Sequence, residues 1–145
     1  NIINVRTRKV SKTDTGILYN ALRTPDGTVI RSRTRHAYVS HDDANGKTYF
    51  VDGGLEYVRA SCNGDEEYLT VWSDDPHEKI REFMDWGSYG VKGDQPLTYI
   101  KLKDMEDAHI MNVLYECQMS PHYADAMRKE QEFRLKKIFK GFGDK

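Results

Sequence analysis

The chain has 145 residues, enough for one domain with its own hydrophobic core and too few for two comfortable ones. Its 22 Lys and Arg nearly balance its 23 Asp and Glu, so affinity for nucleic acid or an anionic membrane would need a local patch. No apolar run approaches the roughly 20 residues of a spanning helix, and the N-terminal "NIINVRTRKV" lacks the apolar region of a signal peptide. The sequence therefore predicts one soluble domain over residues 1–145, with no membrane partner.

The chain up to about residue 72 has the hydrophobic pattern of β-strands. Segments such as "GILYNAL", "TVIRSR", "HAYVSH", "KTYFVDGG" and "YLTVW" are separated by "TPDG", "DDANG" and "NGDE". Pro-Asp-Gly and Asn-Gly favour turns because Asn and Gly tolerate the positive φ that tight hairpins need. We predict an antiparallel meander of about four to six strands over residues 17–72.

After residue 72 the hydrophobic period lengthens and indicates about three helices. The first is predicted to begin near Pro76 with Asp75 as its N-cap, and to end at Gly87 after about three turns. "DQPLTYIKL" then returns as a strand, and further helices begin near Asp107 and Pro121. Because helices follow the strands instead of alternating with them, the sequence predicts an α+β fold with the helices packed mainly on one face of the sheet.

Apolar residues recur at helical spacing in the last two predicted helices. Ile110, Val113, Leu114 and Cys117 share one face of the second, which we expect to be buried. The third helix carries a weaker stripe: Ala124, Met127, Gln131, Leu135 and Ile138.

The segment "TVIRSRTRH" places arginines on alternate positions. If the strand continues through it, Arg31, Arg33 and Arg35 share one face at a spacing of roughly 7 Å. This spacing resembles that of successive phosphates, and the planar guanidinium binds phosphate through two hydrogen bonds. The alternative is a solvated outer face with weak ion pairs.

Three aromatic residues complete the predicted ligand-binding set. Trp86 and Tyr89 lie in the glycine-rich "WGSYGVKGDQP", which matches no phosphate-loop motif, and Tyr38 follows the arginines. We predict that Tyr38, Trp86 or Tyr89 stacks on a ligand base, while core packing remains the alternative for the two in the glycine-rich segment.

Histidines and aspartates in "RHAYVSHDDANG" form an alternative catalytic set. His36 and His41 come within reach of Asp42, Asp43 and Asp52 if the hairpin closes, which would suit general acid-base chemistry. Exposed histidines at strand ends are the other interpretation. "HDDANGKTYFVD" overlays a calcium loop, but lacks its first carboxylate and last glutamate and has strand-like flanks. We therefore predict a plain Asn-Gly hairpin, no metal and no cofactor.

Two long segments carry a family resemblance. "LRTPDGTVIRSRTRHAYVSHDDANGKTYFVDGGLEYVR" and "WGSYGVKGDQPLTYIKLKDMEDAHIMNVL" resemble a group of small accessory proteins of tailed bacteriophages, which share D-G-G-L-x-Y and W-G-x-Y-G…QPL…HI patterns. The resemblance implies a phage-encoded protein that acts in the host cytoplasm, for example in counter-defence, and it assigns no catalytic residue. Cys62 and Cys117, far apart and outside any metal spacing, are typical of free thiols in a reducing compartment.

Three functions remain open from the sequence. The first is binding of a phosphorylated small molecule, such as a nucleotide immune signal, between the subunits of a homo-oligomer. The second is inhibition of a host factor through a protein–protein contact. The third is a small phosphodiesterase or nuclease that uses His36 and His41 with the neighbouring aspartates. We favour binding over catalysis because the arginine ladder requires only the strand period, and we do not favour nucleic acid as the ligand.

Overall fold

The computed structural model describes residues 5–9, 15–90 and 92–143. Antiparallel strands occupy the described chain up to Trp72, and three α-helices with one further strand pair follow. The predicted α+β class is therefore confirmed. The chain forms two compact units, Asn1–Asp74 and Asp75–Lys145, each described by itself below. The predicted single domain, with helices on one face of the sheet, stays a prediction.

The described part of the first unit contains nine strands: β1 (Val5–Lys9), β2 (Ile17–Tyr19), β3 (Ala21–Arg23), β4 (Val29–Arg31), β5 (Val39–Asp42), β6 (Thr48–Asp52), β7 (Tyr57–Ser61), β8 (Glu67–Tyr68) and β9 (Val71–Trp72). The largest sheet has the order β1-β7-β6-β5, in which β5, β6 and β7 form a meander and β1 covers the outer edge of β7. Smaller sheets have the orders β4-β3-β8 and β2-β9. Every pairing is antiparallel, as predicted, but the strands are more numerous and shorter than expected.

Alternating residues of these strands bury a common apolar core. Its members share almost complete loss of solvent contact: Ile17, Leu22, Ile30, Tyr49, Val51, Val58 and Ala60. Burial of each larger side chain contributes roughly 1.5 to 3 kcal/mol, so this cluster supplies much of the stability of the first unit. Asp65 accepts a hydrogen bond from the Tyr49 hydroxyl at 3.0 Å, and burial raises the pKa of Tyr49 to about 12 with help from this bond.

The described part of the second unit contains α1 (His77–Phe83), β10 (Asp85–Ser88), β11 (Thr98–Lys101), a 3-10 helix (Leu102–Asp104), α2 (Asp107–Glu116) and α3 (Pro121–Gly143). β10 and β11 form an antiparallel pair, which confirms the strand predicted in "DQPLTYIKL". The predicted starts of the last two helices agree with the structure. Across the described residues, the helices include no stretch long and apolar enough to span a membrane.

The first helix is shorter than predicted. Its backbone becomes extended at Met84, whose N–H closes the last turn on Ile80 O at 2.9 Å. Gly87 does not end the helix but lies in β10 opposite Tyr99, because the ladder to β11 satisfies this backbone instead. The residue at the N-cap position is Pro76, one residue after the predicted Asp75, whose carboxylate contacts Lys79 Nζ at 3.6 Å.

The buried face predicted for α2 is correct at its centre and wrong at its end. Ile110 and Val113 are buried, whereas Leu114 is only half-buried and Cys117 is exposed. Cys117 leaves the face because α2 ends at Glu116 and Cys117 is extended, with φ −103° and ψ 141°. A helical period carries no information about facing once the helix has stopped.

Candidate functional site

The predicted arginine ladder is not formed, because β4 ends at Arg31. Arg33 and Arg35 lie beyond the strand, in a segment that turns where Ala37 N–H donates to Thr34 O at 2.9 Å. Arg31 is half-buried, with its guanidinium carbon 4.4 Å from the centroid of the Tyr19 ring. The strand geometry predicted for Arg33 and Arg35 is therefore wrong. We call residues 32–38 the arginine loop.

Ser32 ties the two ends of the arginine loop together. Its side chain is inaccessible to solvent, and its hydroxyl donates to Ala37 O at 2.6 Å and accepts from Gly54 N–H at 2.8 Å. Its own N–H donates to Asn20 O at 2.9 Å. Buried polar groups cost free energy unless they are hydrogen-bonded, so these bonds hold the loop in one backbone path.

Asn20 fixes the turn against which the loop rests. Its buried side-chain amide donates to Gly54 O at 2.9 Å and Asp52 O at 3.2 Å, with Tyr57 O at 3.3 Å. Gly54 lies in the connection between β6 and β7, and Asp52 and Tyr57 are the strand residues on either side of it. A single side chain from the β2–β3 connection therefore organises the turn that contacts the arginine loop.

Gly54 is required by the close approach of the loop backbone. A Cβ at this position would lie 2.2 Å from Thr34 C and 2.4 Å from Thr34 O, and the residue has φ +55°. The preceding Gly53 has φ +103°, and a Cβ there would lie 2.0 Å from Tyr57 O. The "DGGL" sequence thus seats the arginine loop on the β6–β7 turn. Sequence reasoning missed this role, for which the paired glycines were the signal.

The arginine loop presents cationic and aromatic side chains to solvent. Arg33, Arg35 and His36 are exposed, and Tyr38 is 51% exposed. The Tyr38 ring stacks on Phe50, with centroids 5.1 Å apart and an interplanar angle of 23°. The Arg59 guanidinium lies 5.2 Å from the centroid of the same Phe50 ring. Four of the predicted ligand-binding residues belong to this loop or adjoin it: Arg33, Arg35, Tyr38 and the half-buried Arg31.

The histidine predicted to join the catalytic set has a different partner. His41 Nε2 lies 2.8 Å from Asp26 Oδ2, in the turn between β3 and β4. The pKa of Asp26 is held well below its usual range, first by the Thr24 hydroxyl, then by His41, and by the Thr28 N–H. Asp26 and His41 both remain partly exposed. The arrangement is a hydrogen-bonded pair at the surface, beside a turn.

The neighbouring aspartates serve the local hairpins. Asp42 accepts from the Thr48 hydroxyl at 2.7 Å, and Asp43 accepts from the N–H groups of Asn45 and Lys47 at 2.9 Å each. Asp52 accepts from Gly53 N–H at 2.9 Å. The Asn-Gly hairpin predicted for this segment is therefore present.

The alternative catalytic cluster is not assembled by these contacts. His36 lies in the arginine loop, and His41 pairs with Asp26 instead of the aspartates that follow it. Within residues 5–9, 15–90 and 92–143, no three His, Cys, Asp or Glu side chains are grouped to hold a metal ion.

The remaining predicted site residues belong to the second unit. Trp86 lies in β10 with its ring 6.2 Å from that of Tyr123, at an interplanar angle of 53°. Tyr89 follows β10 and is exposed. Trp86 thus has a packing contact within its own unit, and a ligand role for either aromatic stays a prediction.

A buried carboxylate organises the second unit and was missed at the sequence level. Glu130 is inaccessible to solvent. Its Oε1 accepts from His77 Nε2 at 2.9 Å and Arg81 Nε at 2.9 Å, and its Oε2 accepts from Arg81 at 3.0 Å and Arg134 Nε at 2.7 Å. Arg134 also binds Asp107 at 2.6 Å and Leu102 O at 3.1 Å. The network joins α1, α2, α3 and the 3-10 helix.

The charge state of Glu130 follows from this environment. Burial alone would raise its pKa, but hydrogen bonds from Arg81, His77 and Arg134 outweigh burial and lower the pKa below its ordinary value. The carboxylate is therefore ionised at neutral pH. Because its four hydrogen bonds all come from cationic or imidazole groups, we interpret it as a structural anchor.

Comparison of the chain with protein-family models, with curated proteins and with solved structures gave no match. Within the first unit, the arginine loop combines exposed cationic side chains with a backbone fixed by buried hydrogen bonds.

Proposed function

We propose that the protein binds an anionic, phosphorylated small molecule through the arginine loop. The observation that carries the proposal is the display of Arg33, Arg35 and His36 from a backbone held at both ends by buried Ser32. Loops on a rigid scaffold are common binding sites, and an ordered loop loses little conformational entropy when a ligand binds.

The side chains suit a phosphate attached to an aromatic group. The guanidinium groups of Arg33 and Arg35 can each give two parallel hydrogen bonds to a phosphate. The partly exposed ring of Tyr38 offers an apolar surface at the end of the same loop, on which a nucleobase can stack. A nucleotide combines these two features.

The overall charge supports a small ligand over a nucleic acid. The formal net charge is −1, so the whole molecule gives no long-range attraction to a polyanion. If the resemblance to phage accessory proteins extends to their role, the ligand would be a nucleotide signal of the host, sequestered in its cytoplasm by a homo-oligomer.

A thermal-shift screen against mono-, di- and cyclic nucleotides tests the proposal. At one hundred times its dissociation constant, a ligand adds about 2.7 kcal/mol to the free energy of unfolding and raises Tm. We expect the double variant Arg33→Ala/Arg35→Ala to lose this shift. The matched control Arg23→Ala removes an exposed arginine of the same unit, paired with Glu67 at 2.8 Å, and should keep it.

Replacement by lysine separates charge from geometry. Arg33→Lys/Arg35→Lys keeps both charges but loses the two-point contact, so we expect weaker binding than in the parent. The same samples, followed by chromatography, report whether the nucleotide is broken down. A flat screen, or binding by the double alanine variant as tight as that of the parent, contradicts the proposal.

A further inference from the structure

An apolar groove lies between α2 and α3 of the second unit. Met111, Leu114 and Tyr115 line it from α2, and Arg128 and Gln131 line it from α3, around a volume of about 400 Å³. Tyr115 is 86% exposed, although a tyrosine ring gains free energy by burial. The groove is open and lined largely by side chains that normally pack.

The apolar surface continues along α3 beyond the groove. Leu135, Ile138 and Phe139 are exposed, and Phe139 reaches 69%. At about 100° per residue these three positions fall within an arc of about 100°, which also contains Arg128 and Gln131. They therefore extend the wall of the groove by about two helical turns. Exposed apolar side chains grouped along one helix face are a common feature of interaction surfaces.

The α3 side of this surface is basic. Residues 128–140 contain six Lys and Arg and two Glu, whereas the whole chain has a formal net charge of −1. One of the two acidic residues, Glu130, is buried and bonded to Arg81, His77 and Arg134. Glu132 is thus the one acidic side chain of this segment that is exposed. A partner that covers the groove meets the exposed Arg128 and Lys136 on its α3 side, whereas Lys129 is paired with Asp125 at 3.1 Å and α2 carries Asp107 and Glu116.

We infer that the groove between α2 and α3 binds an acidic amphipathic helix of another protein. A groove between two helices accepts a third helix that inserts apolar side chains at positions i, i+3 or i+4, and i+7. Asp and Glu beside those anchors would complement Arg128 and Lys136. The concave shape favours inserted side chains over a flat lipid surface. The groove belongs to the second unit, whereas the arginine loop belongs to the first.

Selection from a yeast-displayed library of single helices tests the inference with the full chain as bait. The library carries apolar residues at i, i+4 and i+7 and random residues at the flanking positions. We expect enrichment of Asp and Glu at the flanks, and synthetic peptides of enriched sequence that bind with Kd of about 1 to 100 µM by fluorescence anisotropy.

Variants assign the binding to the groove. Met111→Gln/Leu135→Gln replaces two exposed apolar side chains, so the fold is retained, and peptide binding should weaken at least about tenfold. Arg128→Glu should weaken acidic peptides and leave charge-neutral versions unchanged. Leu97→Gln, which changes an exposed leucine of the same unit outside the groove, should bind as the parent does.

Several results would overturn the inference. No enriched helix, enrichment of basic flanks, or equal binding by Met111→Gln/Leu135→Gln each contradicts it. Light scattering of a dimer that this variant abolishes would assign the surface to a second copy of the chain. Sedimentation of the parent with phosphatidylserine vesicles, in the absence of peptide binding, would assign it to an anionic membrane.

Discussion

Replacement of Glu130 by glutamine tests the buried network of the second unit most directly. The substitution keeps the volume but removes the charge, and the new NH2 group must occupy one of the two oxygen positions. Whichever orientation it adopts, it faces Arg81, together with either His77 at 2.9 Å or Arg134 at 2.7 Å. Breaking a buried pair by changing one partner costs about 3 to 5 kcal/mol, and we expect a loss in that range for Glu130→Gln.

Urea denaturation followed by circular dichroism measures this loss. With a slope of about 1 to 3 kcal/mol per M, the midpoint should fall by at least about 1 M. Glu132→Gln is the matched control, because Glu132 is exposed on the same helix, and it should change stability by less than about 0.5 kcal/mol. A loss below about 1 kcal/mol for Glu130→Gln would refute the assignment of this carboxylate as the anchor.

The same pair of proteins gives a pH dependence with a defined sign. The folded pKa of Glu130 is lowered below 4.5, so the folded state resists protonation more than the unfolded state does. Its contribution is therefore complete above the unfolded pKa and is lost as the pH falls through the folded pKa. The stability difference between parent and Glu130→Gln should be largest at neutral pH and should shrink below about pH 4.5. A difference that grows on acidification would contradict this sign.

Three further substitutions test the arginine loop and the helical core. Gly54→Ala places a Cβ 2.2 Å from Thr34 C, at a residue with φ +55°. We expect the free energy of unfolding, measured by urea denaturation, to fall by at least about 1 to 2 kcal/mol, and amide exchange in residues 32–38 to become faster. Unchanged amide exchange would contradict the contact between Gly54 and the arginine loop. Ile110→Ala should cost about 2 to 5 kcal/mol because Ile110 is fully buried, whereas Leu114→Ala, at a half-buried position, should cost less. Equal losses in thermal denaturation would place both side chains in the same environment.

Local patterns in the sequence predicted the elements whose geometry is set by near neighbours. The Asn-Gly hairpin forms because Gly46 takes φ +80° and Asp43 bonds to backbone groups two and four residues later. Likewise, α3 begins at Pro121 as expected, because its fixed φ suits the first helical position.

The prediction that Arg31, Arg33 and Arg35 share one strand face was wrong, because alternating residue types occur both in strands and in loops fixed by distant contacts. Ser32 occupies a polar position in an alternating pattern, which indicates an exposed strand residue. It is nevertheless buried, and its hydroxyl accepts a hydrogen bond from the N–H of Gly54, 22 residues later. Glu130 is a similar case. Its spacing from Arg134 indicates an exposed i,i+4 pair, but His77 and Arg81, 53 and 49 residues earlier, enclose it. Burial that depends on such distant partners leaves no local signal.

The Asn20 amide has a consequence for the order in which the chain folds. It binds carbonyl groups 32 to 37 residues later in the sequence, so its hydrogen bonds require a long segment to close first. Closing a segment of this length lowers the conformational entropy of the chain before any stabilising contact forms. We therefore expect such hydrogen bonds to form late in folding. Interactions formed after the transition state govern how fast a protein unfolds more than how fast it folds. We therefore expect the Asn20 amide to slow the opening of the β6–β7 turn, on which the arginine loop rests, more than it speeds the assembly of the strands.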